Sequence, residues 1–255
     1  MLGFLAGTPI ATDLIQSPIE KSGLTVYVSL RESAVCKFMW PHEFFMPMPS
    51  IGKELSEVVI TWFENASSVL TSSRLAMSVL ASRELSRNLE FLSLMQALEA
   101  FHRSRFSGVY MPECEYEKVK QTLSVAIPVY LASDHKDSLK SRIKYGNQFS
   151  LSKVITELTN LLSPNLAKII LGGNGCVPRA WIDTRNYYTH WDERERSKIL
   201  DGLEMYVASQ RMRHLLRVLY VNFIGISWEA IEERLDSHAT NNFAQDLLGV
   251  NQLIR

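Results

Sequence analysis

The chain has 255 residues, 46% of them hydrophobic, with 27 basic and 27 acidic side chains and a formal net charge of zero. That much apolar material supports a sizeable core in one large or two modest domains. The charge balance leaves no global field to draw the chain to nucleic acid or an acidic membrane, so any polyanion must be held by a local patch.

Cys36, Cys114 and Cys176 lie far apart and show no C-x-x-C spacing, which argues against a disulfide framework or a zinc knuckle and fits a reducing cytoplasm. The opening MLGFLAGTPI is apolar without a basic lead-in. Nothing in the chain approaches the roughly 18 uninterrupted apolar residues of a spanning helix. Secretion and membrane insertion are therefore not expected, and the cytoplasm is the expected location.

Residues 1 to 50 are rich in Pro, Gly and β-formers. Leu24 to Leu30 reads as a strand, and Pro41, Pro47 and Pro49 break the chain beyond it. One or two strands are not stable alone in water, so this piece packs on the rest or is what remains of a longer N-terminal domain. From Lys53 the period turns helical. Leu55, Val58, Val59 and Trp62 recur at three- and four-residue steps, and a second helix lies around Leu75 to Leu80. Ser86 to Phe106 places Leu89, Leu92, Leu94, Met95, Leu98 and Phe101 on one broad stripe of a long amphipathic helix. Another helix is expected from Cys114 to Leu131, loosened in its last turn by Pro128.

Shorter helices are expected over Asp137 to Tyr145 and Leu151 to Leu162, the latter started by Ser150 or Ser152 and stopped before Pro164. Gly172-Gly173-Asn174-Gly175 reads as a loop. It comes after a helix rather than a strand, so a plain turn is favoured over a phosphate cradle. Pro178 suits the start of a helix, and a long helix is expected after Asp192 to about Phe223, with Ser227 capping the next.

The string Arg185-Asn186-Tyr187-Tyr188-Thr189-His190 sits inside one of these helices. Cleaving RNA without a metal needs a base for the 2′-hydroxyl proton, an acid for the leaving oxygen and a cation for the charge building on phosphorus. Imidazole can act as acid or base near neutral pH. A guanidinium forks onto phosphate oxygens and keeps its charge, and the Asn186 amide can orient the phosphate or the ring. By ordinary residue frequencies an Arg and a His at this separation occur by chance in roughly one chain in four, and an Arg-Asn pair ahead of the His in roughly one in a hundred. The amide gives the signal its weight.

At about 100° per residue, Asn186 and His190 share a helix face, whereas Arg185 and His190 differ by roughly 140°. A straight helix does not aim both at one atom. Convergence requires a bend near His190 or a second copy of the helix across a two-fold axis, so a homodimer with a composite active site is expected.

Arg-(polar)-x-x-x-His near the start of a late helix in an all-helical chain resembles the HEPN superfamily. With FLSLMQALEAFHR at 91–103 and RNYYTHWD at 185–192, the chain is more specifically similar to the HEPN domain of ApeA-like bacterial anti-phage proteins. The resemblance covers about residues 85 to 255. It implies a mainly α fold, a HEPN-like helical bundle over 71–255 with a small strand-containing remnant of an N-terminal α+β domain over 1–70. It further implies a metal-independent endoribonuclease acting in abortive anti-phage defence, with Arg185, Asn186 and His190 matching the ribonuclease motif position by position. RNA is the implied partner, tRNA among the candidates, and DNA is not expected.

Further candidates carry two readings each. Tyr187 and Tyr188 could stack on RNA bases or simply pack. Glu99, His102 and Arg103 could support the site from a facing helix, with Arg103 helping to bind phosphate, or form a structural ion pair. Arg211, Arg213, His214 and Arg217 form a basic strip that could contact RNA or be a solvated face. Asp192 could orient His190 as a supporting carboxylate, while Asp183 and the charges of Glu193 to Arg196 look like helix surface. His190 itself could be an ordinary core or surface histidine, in which case the chain would be a non-catalytic helical module binding RNA or protein. No P-loop, G-x-G-x-x-G or H-x-x-x-H pattern is present, so neither a nucleotide cofactor nor a metal is expected.

Overall fold

The structure, a computed structural model, describes residues 55–81 and 85–236, the isolated residues Phe45, Met46, Ile51 and Gly249, and the backbone of two short strands. The strands, β1 (Leu14–Gln16) and β2 (Thr25–Tyr27), pair antiparallel with Ile15 opposite Val26. The expected strand at Leu24 to Leu30 therefore falls on β2. The proline breaks at 41, 47 and 49 and Cys36 lie outside the described residues.

The protein is mainly helical. α1 (Leu55–Asn65) and α2 (Leu70–Ala81) precede α3 (Arg87–Arg105). Ser86 starts α3 by accepting a hydrogen bond from the Leu89 N–H, which satisfies one of the amides a helix start leaves without a partner. The buried stripe of α3 is Phe91, Leu94, Met95, Ala97, Leu98, Phe101 and His102. It is rotated from the expected one, for Leu89 is exposed and Leu92 only half-buried. α2 packs along this helix on one side and α9 (Gly202–Phe223) on another.

From His214 through Val221 every residue of α9 is buried, the pattern of a helix enclosed on all sides. Around it Phe101, Tyr220 and Phe223 meet edge to face, with Phe101 and Tyr220 centroids 5.0 Å apart. Each such pair adds about 0.5–1.5 kcal/mol to the burial itself. The Tyr220 hydroxyl is hydrogen-bonded to Ser72 of α2, so this deeply placed phenol is not left unpaired by its burial. The same core takes in Val58 and Val69 as well as Ile231 of α10 (Trp228–Asp236).

α4 (Glu113–Val125) and α5 (Ser133–Tyr145) form a hairpin that buries only Tyr116, whose hydroxyl donates to the Ile143 carbonyl. α4 ends at Val125, short of the expected Leu131: the tip from Ala126 to Leu131 is turn, because Pro128 has no N–H with which to continue the ladder. The hairpin returns to the bundle through a bridge between Val109 and Gln148. There the Asn147 side chain brackets Met111, accepting from its N–H and donating to its carbonyl.

α6 (Leu151–Thr159) begins at the Ser150 cap, and α7 (Pro164–Leu171) at Ser163 with Pro164 in its first turn. α8 (Arg179–His190) comes after the glycine loop. The helix expected from Asp192 to Phe223 is in fact two elements, a 3-10 helix Glu193–Lys198 and then α9. The break has a tertiary cause. The Leu200 N–H donates to the Thr184 hydroxyl of α8 at 2.8 Å instead of to a carbonyl in its own helix, and Asp201 then opens α9.

Thr184 is fully buried, so Thr184→Val keeps the side chain's shape while leaving the Leu200 N–H without its acceptor. That change should lower stability by about 1–3 kcal/mol, at about 2–4 °C of melting temperature per kcal/mol for a chain of this size. Thr184→Ser should recover most of the loss in a thermal melt.

A candidate ribonuclease site on α8 and α3

α8 carries the motif. Pro178 sits at its N-cap, and Trp181, Ile182, Thr184 and Tyr187 form the buried face that seats the helix on α3 and α6. These positions leave Arg185 and Asn186 half-buried and His190 exposed at the last residue of the helix.

The Arg185 guanidinium is held from two sides. Its Nη1 donates to the Asn186 side-chain oxygen at 3.4 Å, and its Nη2 to Glu99 Oε2 of α3, also at 3.4 Å. The other oxygen of the same carboxylate accepts from Arg103, from Nε at 3.2 Å and Nη2 at 3.0 Å. Arg103 Nη1 in turn donates to Gln148 at the base of the hairpin, at 3.3 Å. One carboxylate thus gathers two guanidiniums from different helices, leaving the cluster with one net positive charge where the side chains are partly open to solvent. Such a cluster can take a phosphate oxygen on the donors that Glu99 and Gln148 do not occupy.

His102 turns away from this cluster. Its ring is fully buried against Phe106 and Phe149, and Nε2 meets Glu157 of α6 at 2.8 Å, with Lys153 Nζ 3.7 Å from the other Glu157 oxygen. Of the three α3 residues expected to support the site, Glu99 reaches Arg185, Arg103 joins it only through the shared Glu99 carboxylate, and His102 serves the α3–α6 contact. Three residues of separation rotate His102 about 60° around the helix from Glu99, enough to send it to a different neighbour.

The remaining candidates are placed elsewhere. Tyr187 is buried, its hydroxyl donating to Glu193 at 3.2 Å and its ring packed on Tyr188 and Trp191, so it presents no open face to a base. Asp192 caps the 3-10 helix and clamps Arg194, accepting from its backbone N–H and from Nε and Nη2 at 2.8 and 2.6 Å. The Arg194 hydrogen bonds hold the Asp192 carboxyl at about 2. Its carboxylate therefore serves Arg194 rather than orienting His190.

The strip on α9 is not a surface patch. Arg213 pins three helices, donating to Glu90 at 2.6 Å and to the Val79 carbonyl at 3.2 Å. Arg211 lies against Gly172, where an added Cβ would meet the guanidinium and displace it. Partial burial lowers the Arg211 pKa. His214 and Arg217 are buried, and burial, followed by the nearby Arg217 and Arg213 charges, pushes the His214 pKa well down and favours the neutral imidazole.

Gln148, Glu157 and Trp191 are the participants that local pattern did not single out. Gln148 and Glu157 pair with residues 45 and 55 positions away, and no spacing rule links such positions. Among the described residues no three His, Cys, Asp or Glu side chains gather as metal ligands, and no helix is long and apolar enough to cross a membrane.

No curated protein and no solved structure matches the chain. The model of one family, Apea-like HEPN, matches residues 92–230. The match runs from inside α3 through the Glu99 cluster and the Arg185 motif to the start of α10, more than half of the chain, and the chain therefore belongs to the Apea-like HEPN family.

Proposed function

We propose that the protein is a metal-independent endoribonuclease. HEPN domains are typically ribonucleases, and membership gives the chain an RNA-related, defence-associated character. The observation that carries the finer reading is the held guanidinium of Arg185, gripped by Asn186 and by Glu99 one helix away, with exposed His190 at the end of the same helix.

Arg185 binds the scissile phosphate and offsets the charge that grows on its oxygens. Asn186 sets the angle of the guanidinium. His190 takes the 2′-hydroxyl proton or delivers one to the leaving 5′-oxygen. Attack of the 2′-oxygen on phosphorus forms a 2′,3′-cyclic phosphate as the bond to the 5′-oxygen breaks. Arg103 adds a second guanidinium beside the first.

α8 is unbroken from Arg179 to His190, so Arg185 and His190 diverge by roughly 140° around its axis. That divergence supports a homodimer in which each site draws on both copies. The biological setting proposed is abortive anti-phage defence in the cytoplasm, with tRNA a candidate target.

The test is incubation of purified protein with single-stranded RNA and total tRNA in excess chelator. Fragments ending in 2′,3′-cyclic phosphate are the expected product. Cleavage that appears only with added divalent metal, or leaves 3′-hydroxyl ends, rules the mechanism out.

A further inference from the structure

Trp191 stands one residue beyond His190 in an unusual state. Among the described residues it is the one non-glycine with positive φ, at φ 51° and ψ 43°, and its N–H closes α8 by donating to the Tyr187 carbonyl at 2.6 Å. Helices commonly end on a left-handed residue, but glycine or asparagine normally fills that position, because a Cβ crowds the following carbonyl. Here an indole fills it, and the residue is 65% exposed, so burial does little to offset the strain.

The ring is nonetheless fixed. Its centroid lies 5.8 Å from Tyr188 at an interplanar angle of 84° and 5.7 Å from Tyr187 at 57°. Arg194 and Arg196, with side chains 88% and 72% exposed, come next on the 3-10 helix, paired with Asp192 and Glu193. An exposed aromatic held by two tyrosine rings, next to the proposed acid–base residue, matches the way unpaired nucleobases are bound, by stacking on a protein ring.

We propose that Trp191 stacks an unpaired nucleobase of single-stranded RNA beside the phosphate that His190 works on, and so selects single strands over duplex. The inference rests on the ribonuclease reading of the same site. Stacking accepts any base, so the selection is for strandedness more than for sequence. In a duplex the bases already stack on one another and offer no free face.

The experiment measures fluorescence anisotropy of a labelled single-stranded 12-nucleotide 2′-O-methyl RNA, which cannot be cut because its 2′-oxygen is blocked, and of its duplex. Wild type, Trp191→Gly and Trp191→Phe are compared, each with a thermal melt and sedimentation. One lost stack corresponds to about 5- to 150-fold in affinity. Trp191→Gly should weaken single-strand binding within that range, leave duplex binding unchanged, and melt no lower than wild type because glycine relieves the strained φ. Trp191→Phe should restore binding to within about threefold.

Unchanged single-strand affinity in Trp191→Gly overturns the proposal, as does a lower melting temperature or a dissociated dimer with affinity intact, which would make the indole a packing or self-association contact. If wild type binds neither RNA, the ribonuclease reading falls and this one with it. If wild type cuts and binds RNA and Trp191→Gly binds equally well, only the stacking role is lost.

Discussion

His190→Ala is expected to slow RNA cleavage by about 10²- to 10⁴-fold, the range that a single general acid or base contributes. Affinity for an uncleavable RNA should stay within about threefold. The reason is positional: His190 is exposed at the last residue of α8, where its removal opens no cavity, and such surface substitutions usually change stability by no more than about 0.5 kcal/mol. A fall in kcat with little change in KM is the signature of an interaction made in the transition state. Undiminished cleavage in the variant would remove the imidazole from the chemistry and favour a helical module that binds RNA or protein without cutting it.

The second large effect concerns where the two halves of the site come from. Arg185→Ala should slow cleavage at least as strongly, since no neutral side chain offers the phosphate a charged fork, and Arg185→Lys should recover little because an ammonium is a point donor. Mixed in equal amounts after reversible dissociation, Arg185→Ala and His190→Ala should regain activity. In a composite dimer, half of the re-formed dimers are mixed, and one of the two sites in each is whole, giving about a quarter of wild-type activity. Recovery measured on the mixture, with neither variant active alone, establishes the shared site. No recovery, with mixed dimers demonstrated by mass, would place both residues of a site in one chain and require α8 to bend when substrate binds.

Much of the fold was legible because its signals are local. Ser86, Ser150 and Ser227 each stand one residue before a helix and accept from an amide three residues on, an interaction contained within a single turn. The motif on α8 was legible for the same reason, its residues lying in six consecutive positions. The misread elements were decided at a distance. The helix expected across 192 to 223 breaks because Leu200 spends its N–H on Thr184. The buried stripe of α3 is rotated because α2, α6, α8 and α9 all pack on that helix and no single period describes so many neighbours.

The strip on α9 illustrates the limit most plainly. Four basic residues within one helix read as a solvated or RNA-facing surface, yet Arg213 finds Glu90 123 positions earlier, and His214 and Arg217 are buried. Charge in a sequence reports what must be compensated, while the compensating group is chosen by packing. By itself the sequence determined the helical class, most helix starts and the family resemblance, and it pointed to Arg185, Asn186 and His190 as the candidate set, all of which depend on neighbours within a few residues. Tertiary structure decided that one Glu99 carboxylate joins Arg185 to Arg103 while His102 serves α6, that Leu200 gives its N–H to Thr184, and that Arg213 pairs with Glu90. Each of those outcomes turns on a helix rotation or a partner far along the chain, and neither is written in local periodicity.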